Sequence, residues 1–419
     1  MKYFLTNLLV ICFFIVFAQD NLQVYYGNLH SHTGFSDGVM TPAYAYKYAR
    51  DTAGLDFLAV TDHCELLTPA EYTEIQHAAD SFTVANEFTG IFGFEWTSPY
   101  YGHCDVFQSP SLPDQDYLYD WAGFTQWVLS VPAARAQFNH PGRSSSFNNW
   151  NSFDYAGTTV DSVFSLLEFQ SIEQATDFYE FSLNKGWHLS PAFNQDNHSA
   201  NWGTMNNNRT GIWAHRLSRA NLFQAIDSGR TFATMDKNAA IWISIDQTPM
   251  GSSLQRFYNM SLNIRISDAD LEAWVLVELV SSQGVIESFS SWTDIDTTIN
   301  LTLFNDKYVF VRAIQADGNR IWSAPIYLRG VLSGIEHTQE FPFTISPNPA
   351  NDYFVIQAQK KQIGFSVEIY TLQGRKLNQK SEKTGDLSQK IYTPNLAPGM
   401  YLLKISAGNF QYAKMIHVE

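Results

Sequence analysis

Between residues 22 and 237, short apolar segments alternate with amphipathic segments, and this alternation constrains the fold more than any other feature of the sequence. The motif Thr68-Pro69-Ala70-Glu71 is a helix-capping box and predicts a helix to about Ala79. Strands alternating with helices favour a mostly parallel sheet with helices outside it. The predicted strands are 23–29, 56–61, 89–94, 104–107, 135–139, 165–169 and 189–194. A second helix is predicted at 218–228, and the asparagine-rich stretch 194–209 is predicted to be a loop. Seven strands in this length favour a compact, irregular α/β barrel.

The helical pattern disappears after Ile241, where strands with period-two alternation are separated by polar turns. The predicted strands are 259–266, 274–279, 285–289, 299–303, 307–315 and 321–327. This series predicts an antiparallel β-sandwich. A second, smaller all-β unit begins near Phe343. We therefore expect a signal peptide at 1–18, an α/β barrel at 19–238, a sandwich at 239–333, a linker at 334–342 and a C-terminal domain at 343–419.

The N-terminus has the features of a secretory signal peptide. Lys2 precedes an apolar run over residues 8–17, and Ala18 precedes Gln19 and Asp20. The run is shorter than the ~20 apolar residues that span a bilayer. No later segment is apolar enough to span one, so we expect an exported protein with no transmembrane segment in the mature chain.

The charge of the chain excludes one class of function and separates one segment from the rest. The formal net charge is -15, and non-specific nucleic-acid binding requires clustered Lys and Arg, so no nucleic-acid partner is expected. Residues 341–419 differ, since they hold nine basic and five acidic residues. This asymmetry predicts a separate module with a separate role.

Two cysteines, Cys64 and Cys104, remain after the predicted signal peptide, and each directly follows a histidine. Two cysteines cannot form the disulfide framework of a chain this long. We therefore predict two buried, unpaired side chains rather than a disulfide or a thiolate metal site.

Histidines and carboxylates stand at or beside the ends of successive predicted strands. His30 and His32 end the first strand, where residues i and i+2 point to the same face, so both imidazoles can reach one metal ion. Asp196 and His198 repeat this spacing after the seventh strand. The C-terminal ends of parallel barrel strands converge on one face, which predicts a shared metal site there. The candidate ligands are His30, His32, Asp37, His63, Glu95, His103, His140, Asp196 and His198.

Other polar and aromatic residues near these motifs allow two interpretations each. Arg143 follows His140 closely, and its guanidinium either binds a phosphoryl or carboxylate oxygen or forms an ordinary ion pair. Glu168 either orients a ligand or contacts substrate, and Asp62 is expected to orient a neighbouring residue rather than bind metal. An aromatic wall of the site or simple core packing would explain Trp96, Tyr100 and Tyr101 equally well.

Taken in order, four segments resemble the polymerase and histidinol phosphatase (PHP) domain of metallohydrolases. They are Gly27-Asn28-Leu29-His30-Ser31-His32-Thr33-Gly34-Phe35-Ser36-Asp37-Gly38, Thr61-Asp62-His63, Asn139-His140-Pro141 and Asp196-Asn197-His198. The segments Gly229-Arg230-Thr231-Phe232-Ala233-Thr234 and Pro249-Met250-Gly251-Ser252 are similar to the branch that includes carbaryl hydrolase, in which a β-sandwich follows the barrel. The sequence departs from the family at Asn197, where serine is more common, but keeps both ligand positions.

The resemblance implies a distorted seven-stranded barrel that holds two or three divalent metal ions. It assigns the first ion to His30, His32, Glu95 and Asp196, the second to Glu95, His103 and His140, and the third to Asp37, His63 and His198. Nitrogen and oxygen ligands of this kind suit Zn, Mn or Fe. The implied mechanism is attack by a metal-bound hydroxide on phosphorus or a carbonyl carbon, without a side-chain nucleophile.

The C-terminal segment resembles the sorting domain of the type IX secretion system. The resemblance rests on Ser346-Pro347-Asn348-Pro349-Ala350, on Val367-Glu368-Ile369-Tyr370 with Gly374-Arg375, and on Gly399-Met400-Tyr401-Leu402-Leu403-Lys404-Ile405. It implies export by the type IX secretion machinery and a secreted or cell-surface location. The domain has no catalytic part.

The sequence thus predicts an exported metal-dependent hydrolase, in the first place a phosphoesterase acting on a small-molecule phosphoester. A metal-dependent esterase, amidase or carbamate hydrolase would use the same ligands and remains an alternative. A surface binding protein that keeps the barrel without turnover is the other alternative.

Overall fold

The computed structural model of the chain describes residues 22–255, 260–301, 303, 306–330, 343–358, 365–371, 375–378, 380–385, 388–407 and 410–419. The predicted signal peptide at 1–18 and the predicted linker at 334–342 lie outside the described residues. The chain divides into two compact units. The first extends to Ala240 and includes Asp268–Glu272 and Ile314–Ala324, and the second contains Ile241–Ser267, Ala273–Ala313 and Pro325–Glu419.

Strands and helices alternate in the first unit, as the sequence pattern predicts. Its first nine strands are β1 Gln23–Asn28, β2 Phe57–Val60, β3 Thr89–Ser98, β4 Gly102–Phe107, β5 Arg135–Asn139, β6 Phe164–Phe169, β7 Ser190–Phe193, β8 Arg209–Ala214 and β9 Thr231–Thr234. The helices are α1 Pro42–Asp51, α2 Pro69–Phe82, α3 Trp121–Ser130, α4 Asn149–Phe153, α5 Thr158–Asp161, α6 Ile172–Gln174, α7 Glu180–Lys185 and α8 Arg219–Asp227. A 3-10 turn covers Gln115–Tyr119, a π turn covers Ala175–Tyr179, and α4 has left-handed backbone angles.

The described residues from Ala239 onward form strands joined by turns and loops. They are β10 Ala239–Ile245, β11 Thr248–Pro249, β12 Ser253–Gln255, β13 Met260–Asp268, β14 Trp274–Ser281, β15 Gly284–Ser291, β16 Ile295–Leu301, β17 Tyr308–Gln315, β18 Arg320–Ser323 and β19 Ile326–Arg329. The C-terminal strands are β20 Phe343–Ser346, β21 Tyr353–Ala358, β22 Phe365–Thr371, β23 Lys376–Leu377, β24 Ser381–Gly385, β25 Ser388–Tyr392, β26 Gly399–Ala407 and β27 Phe410–Val418.

The predicted capping box opens α2. The backbone N–H of Thr68 donates to Oε2 of Glu71 at 2.9 Å, and the N–H of Glu71 donates back to Oγ1 of Thr68 at 3.2 Å. Pro69 occupies the first helical position, where no intrahelical N–H is needed. The helix runs to Phe82, three residues beyond the predicted end at Ala79.

The sheet of the first unit is parallel except at β4 and at the edge formed by β8, β9 and β18. β1, β2 and β3 pair in parallel, as do β5, β6 and β7. β4 is antiparallel to both β3 and β5, within a sheet that the sequence predicts to be mostly parallel. The connection from Ser98 to Gly102 is a tight turn, and a connection this short joins antiparallel strands. The start of β4 therefore lies at the same edge as the end of β3.

Two strands of the first unit were missed by the sequence interpretation. β8 begins at Arg209, inside the predicted loop, and pairs antiparallel with β1 and with β9. β9 in turn pairs antiparallel with β18. Both strands carry buried threonines among their apolar residues, and this hides the alternation that marks a strand. The strand order is β18-β9-β8-β1-β2-β3-β4-β5-β6-β7. The seven-stranded barrel stays a prediction.

Aromatic rings fill much of the core of the first unit. The ring of Phe138 lies between Trp150, Trp187 and Phe164, with centroid distances of 4.6, 5.0 and 5.0 Å. All four side chains are buried. Edge-to-face and offset ring packing of this kind contributes beyond the burial of apolar area, and it anchors β5 just before the site described below.

The second unit is all-β and sandwich-like. One sheet has the order β11-β10-β13-β16, and the C-terminal residues form two further sheets, β20-β21-β25-β24 and β23-β22-β26-β27. The single strand predicted at 321–327 is in fact two strands, β18 and β19, because Pro325 between them has no backbone N–H to donate. The predicted domain boundaries stay predictions. Within the described residues, no helix combines the length and apolar character needed to cross a bilayer.

Candidate metal centre

Backbone pairing continues past the strand ends and brings the segments that carry the predicted ligands together. Ser31 pairs with Asn197 and His63 pairs with Glu95 as isolated parallel bridges. One row of paired residues crosses β3, β4 and β5, because Glu95 stands opposite Asp105, which in turn stands opposite Gln137. Side chains in one such row share a face of the sheet. Backbone hydrogen bonds therefore fix the positions from which these side chains project.

Glu95 lies at the centre of the predicted ligands, and 1% of the residue is exposed. Its Oε1 atom lies 3.3 Å from Nε2 of His30, 3.2 Å from Nδ1 of His103 and 3.1 Å from Nε2 of His140. A buried carboxylate needs compensating partners of this kind, since an isolated buried charge is very costly. Three imidazoles thus converge on one oxygen, two from just beyond the ends of β1 and β5 and one from the start of β4.

His30 and His32 meet a second carboxylate, Asp196. Nε2 of His30 lies 3.0 Å from Nε2 of His32. Oδ1 of Asp196 lies 3.2 Å from the first of these nitrogens and 3.0 Å from the second. Oε2 of Glu95 lies 3.6 Å from Nε2 of His32. Two nitrogens and two carboxylates therefore point toward one place, a donor set that suits a divalent transition metal.

Asp37, His63 and His198 form the outer part of the site. Oδ1 of Asp37 lies 3.5 Å from Nε2 of His63 and 3.2 Å from Nε2 of His198. Nδ1 of His32 lies 3.8 Å from the same oxygen, so His32 borders this group as well. Nδ1 of His63 lies 2.9 Å from Oε2 of Glu95 and thereby links the outer group to the centre. The Asp37 side chain is 50% exposed, so the site opens to solvent here.

The structure brings all nine predicted residues together. Eight of them fall into three groups in which one donor atom per residue lies within 4.8 Å of the others: His30, His32 and Glu95; Glu95, His103 and His140; and His32, Asp37, His63 and His198. Asp196 contacts the first group through the distances given above. The resemblance does not imply the place of His32 in the outer group, which the structure adds.

Glycine at position 38 allows the Asp37 turn to approach the first strand. A Cβ atom at Gly38 would lie 2.8 Å from the carbonyl carbon of His32 and 2.9 Å from the nitrogen of Thr33. Real Cβ atoms do not approach backbone this closely, so a larger residue would push the turn away. Asp62 holds the same turn, since it accepts hydrogen bonds from N of Thr33 at 2.7 Å and from Oγ of Ser36. Asp62 therefore positions the loop, as the sequence predicts.

Two of the predicted ligands have backbone angles that only a well-supported site tolerates. The φ angle is 30° at His140 and 47° at Asp196. Left-handed backbone at a non-glycine residue costs roughly 1–2 kcal/mol and is concentrated at functional sites. The hydrogen bond from N of His140 to Oε2 of Glu168, at 3.0 Å, offsets part of this cost.

Glu168 and Arg143 border the ligands in different ways. Glu168 is fully buried, and its Oε1 atom lies 2.9 Å from Nδ1 of His30. This favours the interpretation that Glu168 orients a ligand. Arg143 forms an ion pair through Nη1 with Oδ2 of Asp196, and 49% of its side chain is exposed. The guanidinium is therefore anchored at the site and still accessible.

Charges within the site shift the pKa values of its members in opposite directions. Burial alone would lower the pKa of His30, but the charges of Asp105, Glu168, Asp196 and Glu95 raise it well above the usual value. Burial opposes ionisation of Glu95, yet the positive charges of His30 and His103 lower its pKa well below the usual value. Each group is thus charged because its neighbours carry the opposite charge.

The pKa values of three other imidazoles are shifted in different directions. Burial lowers the pKa of His32 and of His103. For His63, burial lowers the pKa, but the hydrogen bond and charge of Glu95 outweigh it and raise the pKa to about 9. The pKa of Asp196 is lowered, because the charge of His30 and the proximity of Nε2 of His32 outweigh its burial.

Unpaired polar atoms indicate that the donor set fits a cation. Within the described part of the chain, Oδ1 of Asp196 and Nδ1 of His140 are buried and have no hydrogen-bond partner. Leaving such an atom unpaired costs about 1–3 kcal/mol. For Asp196 the unpaired oxygen is the one directed at Nε2 of His30 and His32, so a divalent ion between these atoms would satisfy it.

The sequence interpretation named no role for several buried polar residues beneath the ligands. Asp105, Gln137, Asn139 and Asn194 are at most 1% exposed. Their spacing in the sequence could have identified them as part of the site. Gln137 and Asn139 are two residues apart on one buried strand, and Asp105 is two residues from His103. Polar residues with period two in an otherwise buried strand share its inward face.

The structure decides between the two interpretations of Trp96 and tests the prediction for the cysteines. Trp96 is buried and stacks on Phe124 with a centroid distance of 4.1 Å, so it belongs to the core. Tyr100 is 56% exposed. Cys64 and Cys104 are both buried and unpaired, which confirms the prediction for them.

The fold and the site define an α/β protein whose buried histidine and carboxylate groups fit divalent metal ions. Residues 344–419 match the family model of the secretion system C-terminal sorting domain. This match confirms the predicted sorting domain and indicates that the chain is secreted. No curated protein matches the sequence.

Several solved structures are similar to parts of the chain. One is a two-domain protein containing a predicted PHP-like metal-dependent phosphoesterase from Bacteroides vulgatus ATCC 8482, with 15% identity, 73% of this chain and 96% of that chain covered, and a TM-score of 0.42. PsfC from Pseudomonas syringae PB-5123 has 13% identity, coverage of 45% and 82%, and a TM-score of 0.33. The lesion-specific endonuclease PfuEndoQ from Pyrococcus furiosus has 13% identity, coverage of 49% and 56%, and a TM-score of 0.34. The carbaryl-hydrolase branch stays a prediction.

Proposed function

We propose that the chain is an exported metal-dependent hydrolase that cleaves phosphoesters. The observation that supports this most directly is the buried Glu95, because its two oxygens face imidazoles that belong to different donor groups. Oε1 faces His103 and His140 of one group, and Oε2 lies 3.6 Å from Nε2 of His32 in another. A carboxylate shared in this way allows two ions to lie close together, which is the arrangement suited to phosphoryl transfer.

Nine ligands would hold two or three ions. One ion would take His30, His32, Glu95 and Asp196, the second Glu95, His103 and His140, and the third Asp37, His63 and His198. The donors include no thiolate and suit Zn²⁺, Mn²⁺ or Fe²⁺. Bound divalent ions would activate water and neutralise charge on the phosphoryl oxygens.

Exposure supports a direction of entry for the substrate. His30, His32 and His140 have no exposed side-chain area, whereas the side chains of Asp37 and Arg143 are 50% and 49% exposed. A substrate would therefore approach on the side of Asp37 and Arg143. The guanidinium of Arg143 can donate two parallel hydrogen bonds to phosphoryl oxygens. Glu168 would accept a hydrogen bond from Nδ1 of His30 and so keep the proton on that nitrogen. Nε2 of His30 would then be unprotonated and able to bind a metal ion.

The C-terminal sorting domain supports the proposed location, and the charge of the chain supports the proposed substrate. The sorting domain at 344–419 supports handling by the type IX secretion machinery. A net charge of -15 opposes binding of polyanions, so the proposed substrate is a small phosphoester rather than nucleic acid.

A comparison of model esters tests the proposal. The purified mature chain, reconstituted with Zn²⁺ or Mn²⁺, is expected to hydrolyse p-nitrophenyl phosphate or bis(p-nitrophenyl) phosphate faster than p-nitrophenyl acetate. His30→Ala should lower this rate at least ~100-fold, the scale of a catalytic group lost. His77→Ala is the control, because His77 is exposed on α2.

Each outcome of this panel has a meaning. Turnover of esters, amides or carbamates without any phosphoester would replace the proposal with the carbonyl hydrolase. Bound metal without turnover of any substrate would favour a binding protein. Elemental analysis that finds no stoichiometric metal after reconstitution would refute the metal centre itself.

A further inference from the structure

Three buried amide side chains connect the backbone just after β1 to Glu95, the central carboxylate of the site. They are Asn194, Gln137 and Asn139, and each is at most 1% exposed. None of them is a candidate metal ligand and none can ionise. Burying amides is costly unless their donors and acceptors are paired, so their arrangement requires a physical reason.

The amides form a continuous hydrogen-bonded chain. Oδ1 of Asn194 accepts from N of Leu29 at 2.8 Å, and its Nδ2 donates to Oε1 of Gln137 at 3.3 Å. Nε2 of Gln137 donates to Oδ1 of Asn139 at 3.0 Å. Nδ2 of Asn139 then donates to Oε1 of Glu95 at 2.9 Å.

The direction of every bond in this chain is determined at its first member. A backbone N–H can only donate, so the atom of Asn194 that faces Leu29 is the oxygen, and its nitrogen must face Gln137. The hydroxyl of Thr210 also donates to Oδ1 of Asn194, at 2.8 Å. Because each amide has one accepting and one donating end, the same polarity passes through Gln137 to Asn139.

A second contact supports the same orientation at the middle of the chain. Nε2 of Gln137 also donates to Oδ2 of Asp105 at 3.1 Å, so an acceptor lies on each of the two sides of this nitrogen. Asp105 stands directly opposite Gln137 in the β4–β5 ladder and directly opposite Glu95 in the β3–β4 ladder. Gln137, the middle member of the chain, therefore lies in the same row of the sheet as Glu95.

We propose that Asn194, Gln137 and Asn139 act as an amide relay that positions Glu95 before any metal binds. The relay delivers one N–H to Oε1 of Glu95 and leaves the remaining lone pairs of the carboxylate toward the imidazoles. Asn139 is a positioning residue, since it acts through Glu95. This inference rests on the metal centre of the proposed function, although the geometry of Glu95 can be examined without metal.

The relay can be tested at Gln137, which two hydrogen bonds separate from Glu95, by reversing the direction in which the amides donate. Gln137→Glu keeps the size of the side chain and replaces the Nε2 donor with an acceptor. Asn139 is then expected to turn its Nδ2 toward residue 137 and its oxygen toward Glu95, which would repel that carboxylate. Asn139→Leu removes the N–H donor to Glu95 without adding a charge. It is the second test variant if Gln137→Glu does not fold.

A matched control makes the same exchange elsewhere in the first unit. Gln315 is 1% exposed, and its Nε2 donates to Oδ2 of Asp268 at 2.9 Å. Gln315→Glu therefore also places a buried acceptor against a carboxylate, outside the relay. Thermal melting of the metal-free proteins measures the structural cost common to both exchanges.

Two measurements on the metal-free full mature chain decide the question. Calorimetric titration with Zn²⁺ is expected to give an affinity about 10–100-fold weaker for Gln137→Glu and Asn139→Leu, and an unchanged affinity for Gln315→Glu. Crystal structures without metal are expected to show Glu95 displaced in the two relay variants. An unchanged position of Glu95 in both variants would overturn the relay, whether or not the wild type binds metal. Failure of the wild type to bind metal, with Glu95 displaced in the variants, would instead overturn the proposed function and leave the relay supported.

Discussion

Nε2 of His30 lies 3.0 Å from Nε2 of His32, although Ser31 separates the two residues in the chain. In extended backbone, successive side chains point to opposite faces. The two imidazoles therefore share one face, and Ser31 points away from it. Oγ of Ser31 donates to the carbonyl oxygen of Ala59 in β2 at 2.5 Å. The strand therefore presents two nitrogen donors together, and its middle residue ties it to the neighbouring strand.

Removing the charge of Glu95 is expected to disrupt the centre. In the wild type, three imidazoles surround the Glu95 carboxylate and compensate its charge. Glu95→Gln replaces that carboxylate with a neutral amide. We expect fewer metal ions per chain and a rate of p-nitrophenyl phosphate hydrolysis at least ~100-fold lower. Elemental analysis and steady-state kinetics measure the two effects. Glu74→Gln, at an exposed position on α2, is the control. Full metal content and full activity in Glu95→Gln would contradict the assigned role.

Arg143 is expected to distinguish anionic from neutral substrates. Its guanidinium is half exposed and anchored by Asp196. Arg143→Gln should raise KM for p-nitrophenyl phosphate by about tenfold, the scale of one hydrogen bond to a charged group, and leave hydrolysis of a neutral ester almost unchanged. Kinetics with both esters measure this. The control is Arg50→Gln, since Arg50 pairs with Asp51 on α1. Equal losses for both esters would mean that Arg143 acts by holding Asp196 instead.

The C-terminal domain is expected to matter for export and not for hydrolysis. All nine candidate ligands precede Asn201. Removing residues 343–419 should leave the rate of the purified protein unchanged and abolish its delivery outside the cell. Activity assays on purified protein and on cell fractions measure the two effects. A truncated chain that stays folded but loses hydrolysis would show that the tail helps to build the site.

Stability of the first unit should respond to the ionisation of Asp56. Burial raises the pKa of Asp56 above its usual value, even though Oδ2 accepts a hydrogen bond from N of Tyr26 at 2.6 Å. Between the unfolded and the folded pKa the folded chain binds more protons, so the contribution of Asp56 to the free energy of unfolding falls as pH rises through this window. Asp56→Asn cannot ionise, and we expect it to be more stable than the wild type at pH 7.

Urea denaturation of the metal-free proteins at pH 4, 5 and 7 measures this difference. Its sign is the expected result: the advantage of Asp56→Asn over the wild type grows from pH 4 to pH 7. Asp116→Asn, at an exposed position, should show no such trend. An advantage that is constant with pH would mean that the effect of the substitution does not come from ionisation.

Local chemistry determined what the sequence could predict. The capping box begins α2 because its hydrogen bonds join residues three apart, and the His30–His32 pair shares a face because of strand geometry alone. The sorting domain was also recognisable, since its motifs are contiguous segments of chain. In each case the interacting groups are near neighbours in sequence, so no tertiary contact is needed to infer them.

Only the tertiary structure decided how distant segments meet. The reversal of β4 brings His103 to the edge where β3 ends, and the register of that strand sets Glu95 opposite Asp105 and Asp105 opposite Gln137. A shift of one residue would turn each of these side chains to the other face of the sheet. Likewise, Asn194 and Leu29 are far apart in the chain and meet only because the loop after β7 returns beside β1. Hydrogen-bond partners across strands depend on register and direction, which many residues fix together and no single motif encodes.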